Sequence, residues 1–392
     1  MQTATFTNHP LRLRPFRLRD AGALDAVLNR IAVAAPATDT EGAFPEDAFR
    51  WLAEAGLLAI TLPGHELDFN QPRTARLLHL LKQIGSANLA VGRVYEGHIN
   101  ALYLIHHYAS PAQRTVWYDD VLVHNRLFSV WNTQAADGVS IRETADEQFT
   151  LSGHKIFCSG AGWVDRPLLT GELLADDPAR RGWQMMVIPT EEVRPIPEDG
   201  RFWQPLGMRA SASFKLDFTG VQLHAADLLG RPGDYNRQPY FGGGVIRFAA
   251  VQLGGAEAMY QATRQFLAGA DRAGDVFQQS RLAEMAYLIE SGNHWLRAAG
   301  DKMDQWLAED TDPVKIVAYA NMMRTAIEEI CLRVLPLAER CVGARGLLRP
   351  QPFERIHRDL TMYLRQPAPD AALLDVGRYV ATHSEPAHEL WC

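Results

Sequence analysis

Phe157 and Ser159 are two residues whose types and spacing could do chemistry on a flat ligand. They close the stretch Phe149 to Gly160, Phe-Thr-Leu-Ser-Gly-His-Lys-Ile-Phe-Cys-Ser-Gly. Within it Phe149, Leu151, Ile156 and Cys158 are apolar and β-compatible, and Ser152-Gly153 is a turn dipeptide. The pattern predicts two short antiparallel strands joined at that turn. Phe157 and Ser159 then share one face of the second strand, where a ring can stack on a heterocycle and a hydroxyl can bond its edge. An ordinary hairpin of a β-barrel shows the same pattern, and spacing alone favours that plainer reading.

Other chemistries find less support. The four cysteines, Cys158, Cys331, Cys341 and Cys392, show neither CxxC pairing nor metal-like spacing, so free thiols in a reducing compartment are expected. His106-His107 and the other histidines form no HExxH-like pattern, and no metal site is expected. The net charge of -7, with no basic run beside the aromatics, argues against nucleic acid. Arg12, Arg14, Arg17 and Arg19 are basic, but Pro15 interrupts them and no long apolar segment follows, so they read as surface rather than a targeting signal. Nothing approaches the ~18 uninterrupted apolar residues of a membrane span, and a cytoplasmic protein is expected.

A chain of 392 residues exceeds what one core usually organises. The first third reads as helical. Pro45-Glu46-Asp47 opens a helix that buries Phe49 and Leu52 and ends near Gly56. Apolar residues at three and four spacings from Thr74 to Tyr108 predict two long helices with a break around Gly85 to Asn88. Ser110-Pro111 starts one more, ending near Val123. The middle third changes period: segments around Leu127 to Asn132, Phe149 to Ser159, Leu168 to Gly171, Trp183 to Ile188 and Ser213 to Leu223 read as strands. Helices return at Val245 to Arg272, Gln278 to Glu309, Pro313 to Cys341, Phe353 to Arg365 and Ala371 to Ala381, with stripes suited to an antiparallel bundle. The expected fold is mainly α with a central β-barrel: an N-terminal helical domain over 1–124, a middle β domain over 125–232 and a C-terminal helical bundle over 233–392.

Several stretches resemble the acyl-CoA dehydrogenase family, whose fold has this same three-part order. The hairpin resembles Asn-Gly-x-Lys-x-Trp-Ile-Thr, with Phe157 and Ser159 at the Trp and Thr that lie against the flavin. Trp203 to Gly230 matches "Leu-Gly-Met-Arg-x-Ser-x-Thr … Phe-x-x-Val-x-Val-Pro … Leu-Leu-Gly" almost position by position and is the most specific likeness. Val130-Trp131-Asn132-Thr133 stands where the family carries the loop that bonds the flavin edge. Cys341-Val342-Gly343-Ala344-Arg345-Gly346 resembles the turn that meets the cofactor of a neighbouring subunit, and Pro352 to Asp359 matches the motif that follows it.

The resemblance implies FAD, with FMN as the alternative, a homodimer or homotetramer, a small-molecule substrate such as an acyl-CoA, and an electron-transfer or flavin-reductase partner. Cofactor contacts are implied at Val130, Trp131, Asn132, Thr133, Phe157, Cys158, Ser159, Gly343, Ala344, Arg345 and Gly346. The second long helix borders the family's substrate channel, which makes Tyr95, Glu96 and His98 pocket candidates. His98 and Arg365 are the candidates for polarising substrate.

The departures concern catalysis. The family's base lies eight residues beyond the Asp of Arg-Asp, which from Asp359 is Pro367. The alternative base precedes an Arg early in the first bundle helix; with Arg247 as that Arg, the residue is Ile246. A missing general base costs roughly 10²- to 10⁴-fold in rate. The pyrophosphate-gripping Arg-x-x-Phe-Gly is reduced to Asp271-Arg272-Ala273-Gly274. These departures resemble the two-component flavin monooxygenases of the same fold, whose Leu-His-Asp-Pro is here Leu364-Arg365-Gln366-Pro367. A flavin-dependent dehydrogenase of acyl thioesters is the leading expectation, with a reduced-flavin monooxygenase second and a non-catalytic flavin- or acyl-binding relative third.

Overall fold

The computed structural model describes residues 21–145, 147–175, 177–190, 196–197, 202–365 and 367–392. Arg12, Arg14, Arg17 and Arg19 lie outside them. Among the described residues five helices come first: α1 (Ala21–Ala34), α2 (Glu46–Glu54), α3 (Thr74–Ala87), α4 (Leu89–Tyr108) and α5 (Pro111–Leu122). The sequence signals account for most of their ends. Glu46 and Asp47 occupy the first turn of α2, and Gly56 follows it in the left-handed region at φ 74°. Asn88 breaks α3 from α4 by turning extended, and its side chain accepts from the Ala90 and Val91 amides. Ser110 and Gln113 cap α5 reciprocally. α4 is buried along most of its length, which explains why its apolar residues are not confined to one stripe.

The described residues of the middle segment hold ten short strands: β1 (Phe128–Trp131), β2 (Ser140–Ala145), β3 (Gln148–Ser152), β4 (His154–Cys158), β5 (Arg166–Leu174), β6 (Gly182–Val187), β7 (Ile196–Pro197), β8 (Phe214–Asp217), β9 (Gln222–His224) and β10 (Leu228–Leu229). A seven-stranded sheet runs β10-β6-β5-β2-β3-β9, with β1 paired to β5. β1 and β2 both run parallel to β5, one along 166–169 and the other along 172–174. The second sheet has three strands, β4-β8-β7.

The predicted hairpin is corrected here. β3 and β4 are consecutive but do not pair: β3 joins β2 and β9 in the wide sheet, and β4 joins β8 in the small one. Gly153, at φ 109°, carries the chain from one sheet to the other. A Cβ there would lie 2.3 Å from the Gly138 carbonyl oxygen, so no larger residue fits the crossing.

The bundle comprises α6 (Val245–Gly269), α7 (Val276–Ala308), α8 (Pro313–Gly346), α9 (Phe353–Tyr363) and α10 (Pro369–Thr382). Asp275 and Asp312 cap α7 and α8 with their carboxylates. α6 is the hub, packing against α3, α4, α7, α8 and α9. One continuous apolar cluster links all three segments, from Leu52 and Leu81 through Phe128 and Leu169 to Leu253 and Val334. The architecture is the acyl-CoA dehydrogenase fold implied by the sequence resemblance. No helix among the described residues is long and apolar enough to cross a membrane.

Candidate functional site

The strand β4 bends where the site is expected. Its register with β8 slips between Lys155 and Cys158, and Phe157 takes φ 55°, a conformation disfavoured for a bulky residue. The slip breaks the two-residue alternation. Phe157 is 39% exposed whereas Ser159 is 3% exposed, so the two do not share an open face as expected. Phe157 stands edge-on to Phe202 and Trp203, at 5.4 and 6.2 Å between ring centres. Phe202 is exposed beside it. Ser159 instead joins a buried hydroxyl chain, 2.8 Å from Ser213 Oγ, which lies 2.7 Å from Ser211 Oγ.

The end of β1 lies alongside. The Ile156 amide donates to the Thr133 carbonyl at 3.0 Å, which sets the exposed Thr133 next to the Phe157 turn. Val130 is half-buried. Trp131 is corrected as an edge group: it is 1% exposed, and its Nε1 donates to the Ser159 carbonyl at 2.9 Å, bracing β4 from beneath. Asn132 Oδ1 accepts from Thr170 and Trp183. Cys158 is wholly buried, which pushes its thiol well above the ordinary range and leaves it only packing to contribute. Beneath them Lys155 donates to Asn132 O, Gln134 Oε1 and Thr170 Oγ1. Burial away from any carboxylate lowers its ammonium to about 7.

The loop from Trp203 to Ser213 is pinned to α9. Met208, at φ 58°, donates its amide to Asp359 Oδ1 at 2.6 Å. Burial pushes the Asp359 carboxyl up to about 6, against the pull of that bond and of Arg355. A Cβ on Gly207 would meet the Arg358 carbonyl oxygen at 2.0 Å, so loop backbone rests directly on helix backbone. Arg358 ties the same corner to Asp39 and Glu354. The Arg-Asp pair therefore positions the aromatic loop.

His98 is corrected as a catalytic candidate. Its ring is wholly buried, Nε2 donates to the Leu58 carbonyl at 2.8 Å, and Nδ1 accepts from the Phe128 amide at 3.0 Å. Both nitrogens are spent on backbone, and burial lowers the imidazole to about 4; it joins α4 to β1 and to the loop after α2. Tyr95 is likewise buried and donates to the Leu57 carbonyl. Arg365 is 54% exposed by side chain and pairs with Glu328 at 2.8 Å. Gly343, Ala344 and Arg345 form the exposed end of α8, kinked at Gly343 with φ 61° and ψ -168°. Gly346 is buried beneath them.

Sequence reasoning singled out Glu96 but missed its partners. Glu96 accepts from Arg93 at 2.9 Å and from Asn100 Nδ2, and Asn100 Oδ1 accepts from Arg247 Nε of α6. The available signal was Arg93, Glu96 and Asn100 at helical spacing on an otherwise apolar helix. Arg247, 147 residues from Asn100, carried none. Among the described residues no group of three or more His, Cys, Asp or Glu could hold a metal ion.

The residues fit a flavin ring. Phe157 and Phe202 leave adjoining rings exposed, and Thr133 beside the Phe157 turn offers polar groups. The family descriptions "Acyl-CoA dehydrogenase, N-terminal domain" and "Acyl-CoA dehydrogenase, C-terminal domain" match residues 20–123 and 246–364. The chain belongs to the acyl-CoA dehydrogenase family. Among relatives, it is 23% identical to dibenzothiophene monooxygenase of Rhodococcus qingshengii over 86% of both chains. To an acyl-CoA dehydrogenase of Bacillus subtilis (strain 168) it is 24% identical over 86% of this chain and 89% of that one. The FMN-bound TdsC structure from Paenibacillus sp. A11-2 aligns with a TM-score of 0.81 at 19% identity, covering 95% of this chain and 100% of that one. The acyl-CoA dehydrogenase fold is thus shared by relatives that carry two different chemistries.

Proposed function

We propose that the protein is a monooxygenase that uses reduced flavin supplied by a separate reductase. The observation that carries this reading is the absence of a carboxylate at either position where a dehydrogenase of this family keeps its base. Pro367 has no ionisable group, and Ile246 is an apolar residue buried to 1%. A buried carboxylate of α4, Glu96, is engaged by Arg93 and Asn100. A desaturase would have to free Glu96 from both before it could take an α-proton.

Reduced flavin, when bound, would supply the two electrons by which one oxygen atom of O₂ enters the substrate and the other leaves as water. The protein's share of the work is positioning and exclusion of solvent. Phe157, Phe202 and Trp203 would flank the ring, with Thr133 and Asn132 at its polar edge. The Ser159, Ser213 and Ser211 hydroxyls hold the two site loops together behind it. FMN suits the chain better than FAD, because Arg272, the remnant of the pyrophosphate grip, donates to its own Cys341 carbonyl. In a homo-oligomer, the exposed Gly343 to Arg345 turn would meet the cofactor of a neighbouring chain. Relatives of both chemistries bind into this proposal only as analogies, and the dibenzothiophene monooxygenases support it.

Two spectroscopic measurements decide between the chemistries. Protein mixed with FMN, a flavin reductase and NADH should place oxygen from O₂ in a product that reductase and FMN alone do not form, and a series of acyl-CoAs should leave the flavin spectrum unbleached without oxygen. Anaerobic bleaching by an acyl-CoA that disappears in Glu96→Gln would overturn the proposal and make Glu96 the base.

A further inference from the structure

Lys155 is wholly buried, and the groups around its nitrogen specify a charged ammonium. Nζ donates to the Asn132 carbonyl at 2.9 Å, to Gln134 Oε1 at 2.7 Å and to Thr170 Oγ1 at 3.1 Å. None of the three has a hydrogen to return: two are carbonyl oxygens, and the Thr170 hydroxyl gives its own to Asn132 Oδ1 at 2.6 Å. An ammonium brings three N–H donors to three acceptors. A neutral amine brings two and a lone pair, and would leave one buried acceptor unmet. The Trp183 ring, 4.7 Å from Nζ, favours the cation as well. None of these partners is a carboxylate, so burial opposes the charge and lowers the ammonium to about 7.

What the ammonium holds is the segment from Asn132 to Val139. His154 gives its amide to the Asp137 carbonyl at 2.8 Å and Ile156 its amide to the Thr133 carbonyl at 3.0 Å, while Lys155, between them on β4, reaches the same segment with its side chain. Gln134, drawn inward to Nζ, folds over Gly138, where a Cβ would lie 2.2 Å from Gln134 Cδ. Its Oε1 also accepts from the Val139 amide at 3.2 Å. The charged groups on the surrounding elements are engaged elsewhere. Asp137 pairs with Lys215 of β8 at 2.9 Å and lies 3.1 Å from His154, and Asp217 of β8 lies 3.7 Å from the same imidazole. On β5, Arg166 pairs with Asp120 and Glu172 is exposed; β1 and β6 carry no charged residue. Cys158 acts on the Lys155 charge, but burial holds it as a neutral thiol.

We infer that Lys155 is a positioning residue: its ammonium fixes the segment from Asn132 to Val139, so the flavin site is formed while that nitrogen holds its proton and loosens when the proton leaves. The inference rests on the proposed function in one respect, that Thr133 of this segment borders the flavin.

Hydrogen exchange and flavin titration on the full chain test it between pH 6 and 8. Exchange of the Thr133 to Val139 amides in the ligand-free protein, corrected for the intrinsic rate, should be slow at pH 6 and lose its protection as the pH rises through about 7. FMN affinity should fall about tenfold over the same interval, as the competent fraction drops from about nine tenths to about one tenth. Riboflavin, with no phosphate to titrate at about pH 6, should show the same fall. Lys155→Met should exchange fast and bind flavin weakly at both pH values. Thr170→Val keeps the shape and removes one acceptor, so it should move the midpoint down by about one unit, and it serves should the first variant not fold. Stability runs the other way. With the ammonium lowered from 10.5 to about 7, the unfolded chain binds more protons between those values, so the parent should gain on Lys155→Met in melting temperature as the pH rises from 7 to 9. A lysine that only packs would move affinity and stability together. A flat exchange profile in the parent, the same profile in Lys155→Met, or a transition abolished by His154→Asn instead overturns the inference. Exchange that follows pH with neither flavin bound at any pH keeps the hold of Lys155 on the segment and sinks the flavin reading, whereas flavin binding without a pH step does the reverse.

Discussion

Gly207→Ala is the sharpest test of how the aromatic loop is held. The added methyl would lie 2.0 Å from the Arg358 carbonyl oxygen, 2.2 Å from its carbon and 2.5 Å from the Asp359 amide nitrogen. All three atoms belong to the backbone of α9 and cannot rotate away. The loop must withdraw by about 1.4 Å, the difference between that 2.0 Å and the 3.4 Å where ordinary contact begins. The Met208 amide, now 2.6 Å from Asp359 Oδ1, then moves beyond hydrogen-bond range. Overpacking of this kind costs about 1 to 3 kcal/mol, and a lost hydrogen bond to a charged acceptor about 1.5 to 3. A loss of about 3 to 6 kcal/mol follows, measurable as a lower urea midpoint with an unchanged slope. FMN affinity should fall with it, since Trp203 and Phe202 ride on the same loop. Gly377→Ala is the control: nothing lies within 4 Å of its added methyl, and in the middle of α10 it should stabilise by up to about 1 kcal/mol. A Gly207→Ala protein within about 0.5 kcal/mol of the parent, with unchanged FMN affinity, would refute the docking argument.

Three further outcomes are expected. Phe157→Ala should weaken FMN binding by about tenfold, since an aromatic contact adds about 0.5 to 1.5 kcal/mol beyond its buried area; full affinity in a fluorescence titration contradicts its place beside the ring. His98→Gln separates a buried neutral imidazole from a catalytic one. With the ring lowered from 6.5 to about 4, the unfolded chain binds more protons in that window, so the parent should lose about 3 kcal/mol as the pH falls from 6.5 to 4. The variant should lack this loss, and parallel pH curves would contradict it. Asp359 has the opposite sign: raised from 3.8 to about 6, it contributes stability that is complete below 3.8 and lost as the pH rises through 6, again about 3 kcal/mol. Asp359→Asn should flatten that rise in acid, and denaturant melts between pH 4 and 7 report it.

The helices were legible because their period, caps and breaks are local. Ser110-Pro111 and Asn88 behave in the structure as their residue types require. α1 went unassigned. β2 also went unassigned, because its side chains are polar and mostly not buried. Which strands pair was not legible, since alternation specifies a strand and not its neighbour; β3 and β4 look like a hairpin and are not one. Phe157 defeated the pattern for a related reason, because a single left-handed residue reverses every inside-outside assignment beyond it. His98 shows the converse: its residue type suggested chemistry, but its partners, Leu58 and Phe128, lie 40 and 30 residues away and could only be seen folded. The union of Arg247 with Asn100 is a tertiary event of the same sort.

The crossing at Gly153 bears on how this scaffold can be rewired. Because one uninterrupted run of backbone serves both sheets, new chain ends or an inserted module at that point would sever the covalent link holding the two halves of the β region in register. The exposed stretch from Asp271 to Asp275, between two bundle helices, makes no such link, so circular permutation should succeed there and fail at Gly153.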